Sequence, residues 1–215
     1  MPRAGITQGF SSNSLQNKII ICPTALQTTD NRAAGLPRTG RNTEVELDPQ
    51  TNLDRFDQVL IHGQDGDLKT VSVAGLFELP VLQQNGRGPL FVSNREKSVT
   101  QFSLPKRYGN VGLLAHNYLS GSLFFNLDRG DSVVLIYSNG CRENFTVTEI
   151  LRYQALDPED PYTDFMDLQT SRILNSNSVF SQVYQGERHL TLQTCIEAEG
   201  EPSWGRLFII AESAG

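Results

Sequence analysis

A chain of 215 residues is long enough for one sizeable hydrophobic core with an appended tail, and short for two full domains. Apolar residues make up 38% and charged residues 20%, a balance that argues against both a wholly disordered chain and a membranous one. The formal net charge is -6, and the 18 Lys and Arg are scattered among 24 Asp and Glu, so no basic stripe exists for a nucleic-acid backbone.

Residues 1–58 are rich in Asn, Thr, Gln, Gly and Arg and read as a flexible, loosely ordered N-terminal extension, in which only 18–22 (KIIIC) has strand character. No run approaches the length needed to span a bilayer. Residues 1–17 lack the charged, apolar and small-residue regions of a signal peptide. A protein of this kind working outside the cytoplasm would need a targeting segment beyond this sequence.

From about residue 59 the texture changes to short apolar stretches separated by turn residues. Strands are predicted at 58–62, 68–74, 111–116, 132–137, 144–153, 189–195 and 206–212, each rich in Val, Ile, Leu, Thr or aromatics. The segments 62–67 (HGQDGD) and 138–140 (SNG) are the turns expected between them. Helical signal is confined to 120–127 and to a short helix beginning near Thr163 within 163–184. Many short strands with few helices predict an all-β barrel or sandwich over 59–215. The region 76–110 shows no clear pattern.

Three cysteines, Cys22, Cys141 and Cys195, cannot all pair within one chain, and no CxxC spacing marks a metal or redox site. The three histidines, His62, His116 and His189, could make a zinc site only with distant cysteines, so no metal is expected. The acidic run 157–167 (DPEDPYTDFMD) resembles a calcium-binding loop only loosely and lacks the spacing of a known motif, so it gives weak support to calcium, and no other cofactor is expected.

In 189–195 the side chains alternate, with Leu190 and Leu192 on the core face and His189, Thr191, Gln193 and Cys195 on the other. Residues 196–205 read as a loop, and Glu197, Glu199 and Glu201 as its solvated face. If 189–195 and 206–212 pair as an antiparallel hairpin, Cys195 and Arg206 meet at one rim of the sheet. A cysteine is a nucleophile as its thiolate, which a nearby cation favours. An arginine can also aim its donors at the oxyanion formed when a carbonyl is attacked. The missing acid/base suits a histidine. His189 lies on the same strand, roughly 20 Å away at about 3.3 Å per residue, and His62 sits in a turn with no reason to converge. His116 closes an apolar strand and enters the Gly/Ser-containing loop 117–121, a rigid support for a catalytic side chain.

The segment 190–195 (LTLQTC) resembles the TLxTC signature of sortases. The segment 113–135 (LLAHNYLSGSLFFNLDRGDSVVL) is similar to their histidine-bearing segment, and Arg206, opening the last strand after Trp204-Gly205, resembles their arginine. The resemblance covers about 68–212. It implies an eight-stranded β-barrel and a transpeptidase that cleaves an LPxTG-like sorting motif between Thr and Gly through an acyl-thioester. The acyl group then passes to an amine on a peptidoglycan cross-bridge or a pilin lysine. Cys195 would be the nucleophile, His116 the general acid/base and Arg206 the stabiliser of substrate and oxyanion. Thr194, Trp204 and Asn117, each within two residues of one of these, are expected to contact substrate. The implied partners are secreted proteins bearing the motif, and the implied setting is extracytoplasmic, for a monomer anchored to the membrane or secreted.

Leu36, Pro37, Arg38, Thr39 and Gly40 themselves spell LPRTG, with no apolar segment following. From average composition, such a match arises by chance in well under about 1% of chains this long. It is expected to act as an internal pseudo-substrate or a site of self-processing. Two other functions use the same residues: a thiol hydrolase with water as acceptor, and a non-catalytic peptide-binding barrel.

Overall fold

The computed structural model describes residues 67–213. The expected strands at 18–22 and 58–62, the boundary between extension and barrel, Cys22, His62 and the LPRTG string lie outside the described residues.

The elements run β1 (Leu68–Val73), β2 (Phe77–Gln83), β3 (Val99–Phe102), β4 (Val111–Leu114), β5 (Ser132–Tyr137), β6 (Arg142–Ala155), β7 (Phe165–Asp167), β8 (Ile173–Leu174), α1 (Ser176–Tyr184), β9 (His189–Ala198) and β10 (Glu201–Ser213). Short 3-10 helices span Pro105–Tyr108 and Ser120–Asn126. Hydrogen bonding connects β10-β9-β4-β3-β2-β1-β5-β6, and β6 pairs back to β10, so eight strands close into a barrel. Closure leaves these strands no open edge. The short β7 and β8 extend from β6 outside the ring. The architecture is the all-β barrel expected.

Two strands fall in the unpatterned stretch 76–110. β2 carries Pro80, which sequence rules demote because proline cannot donate to a ladder. It stands opposite Thr70 on β1, while the pairing with β3 begins only at Val81. The second helix also lies elsewhere than the sequence suggests. Residues 163–174 hold β7 and β8, and α1 begins at Ser176, where the Asn175 side chain caps it by accepting from Ser178 N at 2.8 Å. Its buried residues, Val179, Phe180, Val183 and Tyr184, follow a helical face.

That face decides how the last strands are buried. The barrel interior is filled by Val71, Leu113, Phe124, Leu135, Leu190, Leu192, Leu207 and Ile209, among others. A second cluster joins Phe102, Tyr153, Phe165 and Phe208 to α1 on the outside of the sheet. The alternation predicted for β9 holds, but its second face is covered. Thr191 Oγ1 donates to the Val183 carbonyl, and Tyr184 Oη donates to Gln193 Oε1. His189 packs against the same helix end, with Nε2 3.0 Å from the Val183 carbonyl and Nδ1 2.7 Å from that of Glu187. It is a strut, in keeping with its distance along the strand from Cys195.

Residues 196–205 are not a loop. Both strands continue, and the chain reverses at Glu199 (φ 56°) and Gly200 (φ 79°). Glu201 is half-buried and accepts from Ser203 N at 2.8 Å, so it is not part of a solvated face. Three of the five carboxylates of 157–167 serve their own turns: Asp157 accepts from Glu159 N, Asp160 from Tyr162 N and Asp167 from Gln169 N.

Candidate active site

β9 lies between β4 and β10, so Cys195 has a strand on either side. Arg206 is the direct cross-strand partner of Cys195. Directly opposite residues of an antiparallel pair share a face, with Cβ atoms about 4.5–5.5 Å apart. On the other side β4 runs parallel to β9, with Leu113 opposite Leu192 and Leu114 opposite Gln193. One further bond, Ala115 N to the Gln193 carbonyl at 3.2 Å, extends the ladder. Carried on by two residues, that register would set His116 level with Cys195. Cys195 shares the face of Thr191 and Gln193, and the cover from α1 reaches Gln193, two residues short of it.

The three are closely enclosed, with exposures of 0% for Cys195, 1% for His116 and 1% for Arg206. Burial lowers the His116 pKa below the ordinary 6.5, because a charged imidazolium loses hydration there. The Val92 backbone opposes this in part without completing a hydrogen bond, and neither ring nitrogen has a partner. The ring stacks instead on Tyr118, with centroids 5.0 Å apart and planes 21° apart.

Arg206 Nη1 donates to the carbonyls of Ser203 at 2.7 Å and Gly205 at 2.8 Å. Burial lowers its pKa to about 10, opposed by the charge of Glu201. It therefore stays a cation at neutral pH, held in one orientation. Cys195 is disulfide-bonded, and Cys141, exposed at the β5–β6 turn, is the free cysteine among the described residues. Any nucleophilic chemistry at Cys195 therefore requires prior reduction.

The flanking residues divide into two kinds. Thr194, expected near the substrate, has the opposite parity to Cys195 and is 1% exposed. Its hydroxyl donates to the Ala115 carbonyl at 2.9 Å and packs against Gly121. Its hydroxyl thus braces the start of the His116 loop. Asn117 ties that loop to the β9–β10 hairpin, donating from Nδ2 to the Pro202 carbonyl at 3.1 Å. Asn117 Oδ1 and Trp204 Nε1 are buried without hydrogen-bond partners. Unmet buried groups of this kind cost about 1–3 kcal/mol each in a folded chain, and ligand atoms can satisfy them.

Sequence reasoning missed Tyr118 and Gly121. Tyr118 follows His116 by two residues, the spacing at which side chains of extended chain fall on one side. Gly121 has no pattern signal, since its role depends on what crowds it. Among the described residues no group of three or more His, Cys, Asp or Glu is placed to hold a metal. Nor is any helix there long and apolar enough to cross a membrane.

No protein-family model and no curated protein matches the chain. Solved structures similar to it include sortase A from Listeria monocytogenes, at 16% identity and TM-score 0.46, covering 70% of this chain and 89% of that one. Sortase C from Clostridium perfringens SM101 matches at 16% identity and TM-score 0.43, covering 79% and 93%. A Clostridium perfringens sortase D5 transpeptidase matches at 14% identity and TM-score 0.45, covering 76% and 89%. These values are low, and nothing about the chemistry of the present chain follows from them.

Proposed function

We propose that the reduced chain is a cysteine transpeptidase of the sortase type. The observation that carries this reading is the register around β9, in which Cys195 has Arg206 directly opposite on one side and, on the other, β4 ending two residues before His116.

The chemistry runs as an acyl transfer. Neutral His116 takes the Cys195 thiol proton, and the thiolate attacks the scissile carbonyl carbon. The electron pair of the C=O moves to oxygen, where the buried Arg206 cation stabilises it. Collapse of that intermediate breaks the C–N bond, His116 returns its proton to the leaving amine, and a thioester remains on Cys195. An incoming amine then loses a proton to His116 and attacks the thioester. The new amide leaves, and Cys195 recovers the proton. A depressed His116 pKa suits this cycle, because the ring begins neutral at pH 7. Asn117 Oδ1 and Trp204 Nε1 supply one acceptor and one donor, the two groups needed to bind an extended peptide backbone.

The substrate in this reading is an LPxTG-like motif cleaved between Thr and Gly, on a secreted protein. The acceptor is an amine of a peptidoglycan cross-bridge or a pilin lysine, and the setting is extracytoplasmic. The LPRTG string at 36–40 is a ready internal substrate. The test is mass spectrometry of the reduced protein with an LPRTG peptide, with and without triglycine, beside Cys195→Ala. A product joined at Thr, dependent on Cys195 and on triglycine, is expected. Cleavage that ignores the amine would make the chain a hydrolase, and no difference from Cys195→Ala would refute both.

A further inference from the structure

Catalytic imidazoles are usually held in one orientation by a hydrogen bond to the nitrogen that does not face the reaction. His116 has no such bond on either nitrogen. Its oriented neighbour is an aromatic face, that of Tyr118. Tyr118 is 51% exposed, so hydrophobic burial does not explain its position. It is held from its far end, where Oη donates to Asn94 Oδ1 at 3.2 Å. The loop bearing Asn94 is fixed in turn: Arg95 N donates to Ser93 Oγ at 3.1 Å, and Ser98 N donates to Ser120 Oγ at 3.0 Å. Ser120 starts the 3-10 helix that follows the His116 loop, so the two segments form one brace. Away from the imidazole, Tyr118 borders a cavity of about 340 Å³ that Leu79, Glu96, Lys97 and Leu123 also line.

We propose that Tyr118 is the positioning residue of His116, which it orients by stacking, with Asn94 fixing the stack. This rests on the acyl-transfer reading for its role in turnover, though the stack itself does not. In that cycle His116 twice becomes an imidazolium in a site that removes its hydration. The π face of Tyr118 favours the cation where no carboxylate does. The charged or titratable groups on the adjoining elements are Arg95, Glu96 and Lys97 on the 92–98 loop, Glu201, Arg206 and Glu212 on β10, and His189, Cys195 and Glu197 on β9. None of them changes when Tyr118 is replaced.

Two variants separate stacking from cover. Tyr118→Phe keeps the ring and loses the Asn94 bond, while Tyr118→Leu keeps apolar cover and loses the π face. The His116 ring is followed by NMR titration in the full chain, and turnover of the LPRTG peptide is followed against pH. Tyr118→Leu is expected to lower the titration midpoint of His116 by about half a unit, as a cation–π contact of ordinary strength implies. It should also move the acid limb of kcat/KM by the same amount and lower kcat roughly tenfold, with KM little changed. Tyr118→Phe should restore the midpoint and most of kcat. A His116 midpoint unchanged in Tyr118→Leu would overturn the proposal, and so would a Tyr118→Leu kcat equal to that of a wild-type protein that turns over. If no protein turns over, the acyl-transfer reading fails, and the titration still decides whether the stack favours the cation.

Discussion

Gly121→Ala tests the support of the His116 loop most directly. A Cβ built on Gly121 would lie 2.2 Å from Thr194 Oγ1, 2.6 Å from the His116 carbonyl oxygen and 2.8 Å from that of Ala115. Two of these three atoms are backbone and cannot rotate away, so the loop itself must move. Overpacking of this kind costs about 1–3 kcal/mol. The displacement also endangers the bond from Thr194 to Ala115 (2.9 Å) and that from Gly121 N to the His116 carbonyl (3.0 Å), at about 1 kcal/mol each. The sum is about 3–5 kcal/mol, which for a domain of this size lowers Tm by roughly 10 °C. Because the carbonyl that moves belongs to His116, kcat should fall by about 100-fold as the ring leaves its place. Gly140→Ala is the control. It sits at φ 80° with no heavy atom within 4 Å of its added Cβ, on the β5–β6 turn, which carries none of the three site residues. Left-handed strain alone should cost it about 1 kcal/mol and leave turnover intact. Adding Thr194→Ala to Gly121→Ala should recover little, since both carbonyls remain in the way. Thermal melts read beside peptide turnover decide the matter. A Gly121→Ala protein that melts and turns over like wild type would refute the reasoning.

Three further outcomes are expected. Alkylation of the unfolded, unreduced chain should leave Cys195 unmodified while Cys141 reacts, and reduction should both expose Cys195 and switch on turnover; an adduct on Cys195 without reductant would refute this. With its pKa held below 6.5, folded His116 binds a proton less readily than the unfolded chain does. Stability is therefore lost as pH falls from about 6.5 toward the folded value, His116→Gln should flatten that part of a denaturation-against-pH curve, and the acid limb of kcat/KM should lie below 6.5. Trp204→Phe deletes a buried donor that the fold leaves unpartnered, so Tm should hold or rise while KM for the peptide increases several-fold; a drop in Tm with KM unchanged would make the indole structural.

One half of the site is legible in the sequence and the other is hidden, for a physical reason. Cys195 and Arg206 belong to consecutive strands, and antiparallel pairing of neighbours in sequence is a local rule, so their meeting follows from the strand pattern alone. The same rule fails in detail at 196–205. Two glycines and a proline suggest a loop, yet the ladder runs on to Ala198 and resumes at Glu201, because tertiary pairing outweighs local propensity. His116 is different. β4 meets β9 in parallel across a long crossover that includes four other strands and α1. No periodicity encodes such a partner, and only the resemblance of 113–135 singles out this histidine. α1 is hard to place because the acidic stretch before it looks like its start, although Asn175 with apolar residues at 179, 180, 183 and 184 is the truer signal.

The same contrast explains why supports are harder to read than the residues they hold. Cys195, His116 and Arg206 announce themselves by chemical type. Gly121, Thr194 and Asn94 act by fitting or bonding to their neighbours, and their types are common in any loop. A site whose histidine lacks a hydrogen-bonded orienting partner depends on such residues more than most do. Three contacts tie its loop and ring to other elements: Thr194 to Ala115 beneath, Asn117 to Pro202 at the side, and Tyr118, held by Asn94, against the ring. Each reaches a different element, so a disturbance of β9, of the β9–β10 hairpin or of the 92–98 loop arrives at the same imidazole. Activity in this chain should therefore be more sensitive than stability to changes in those three contacts, because each holds little area but fixes where one ring points.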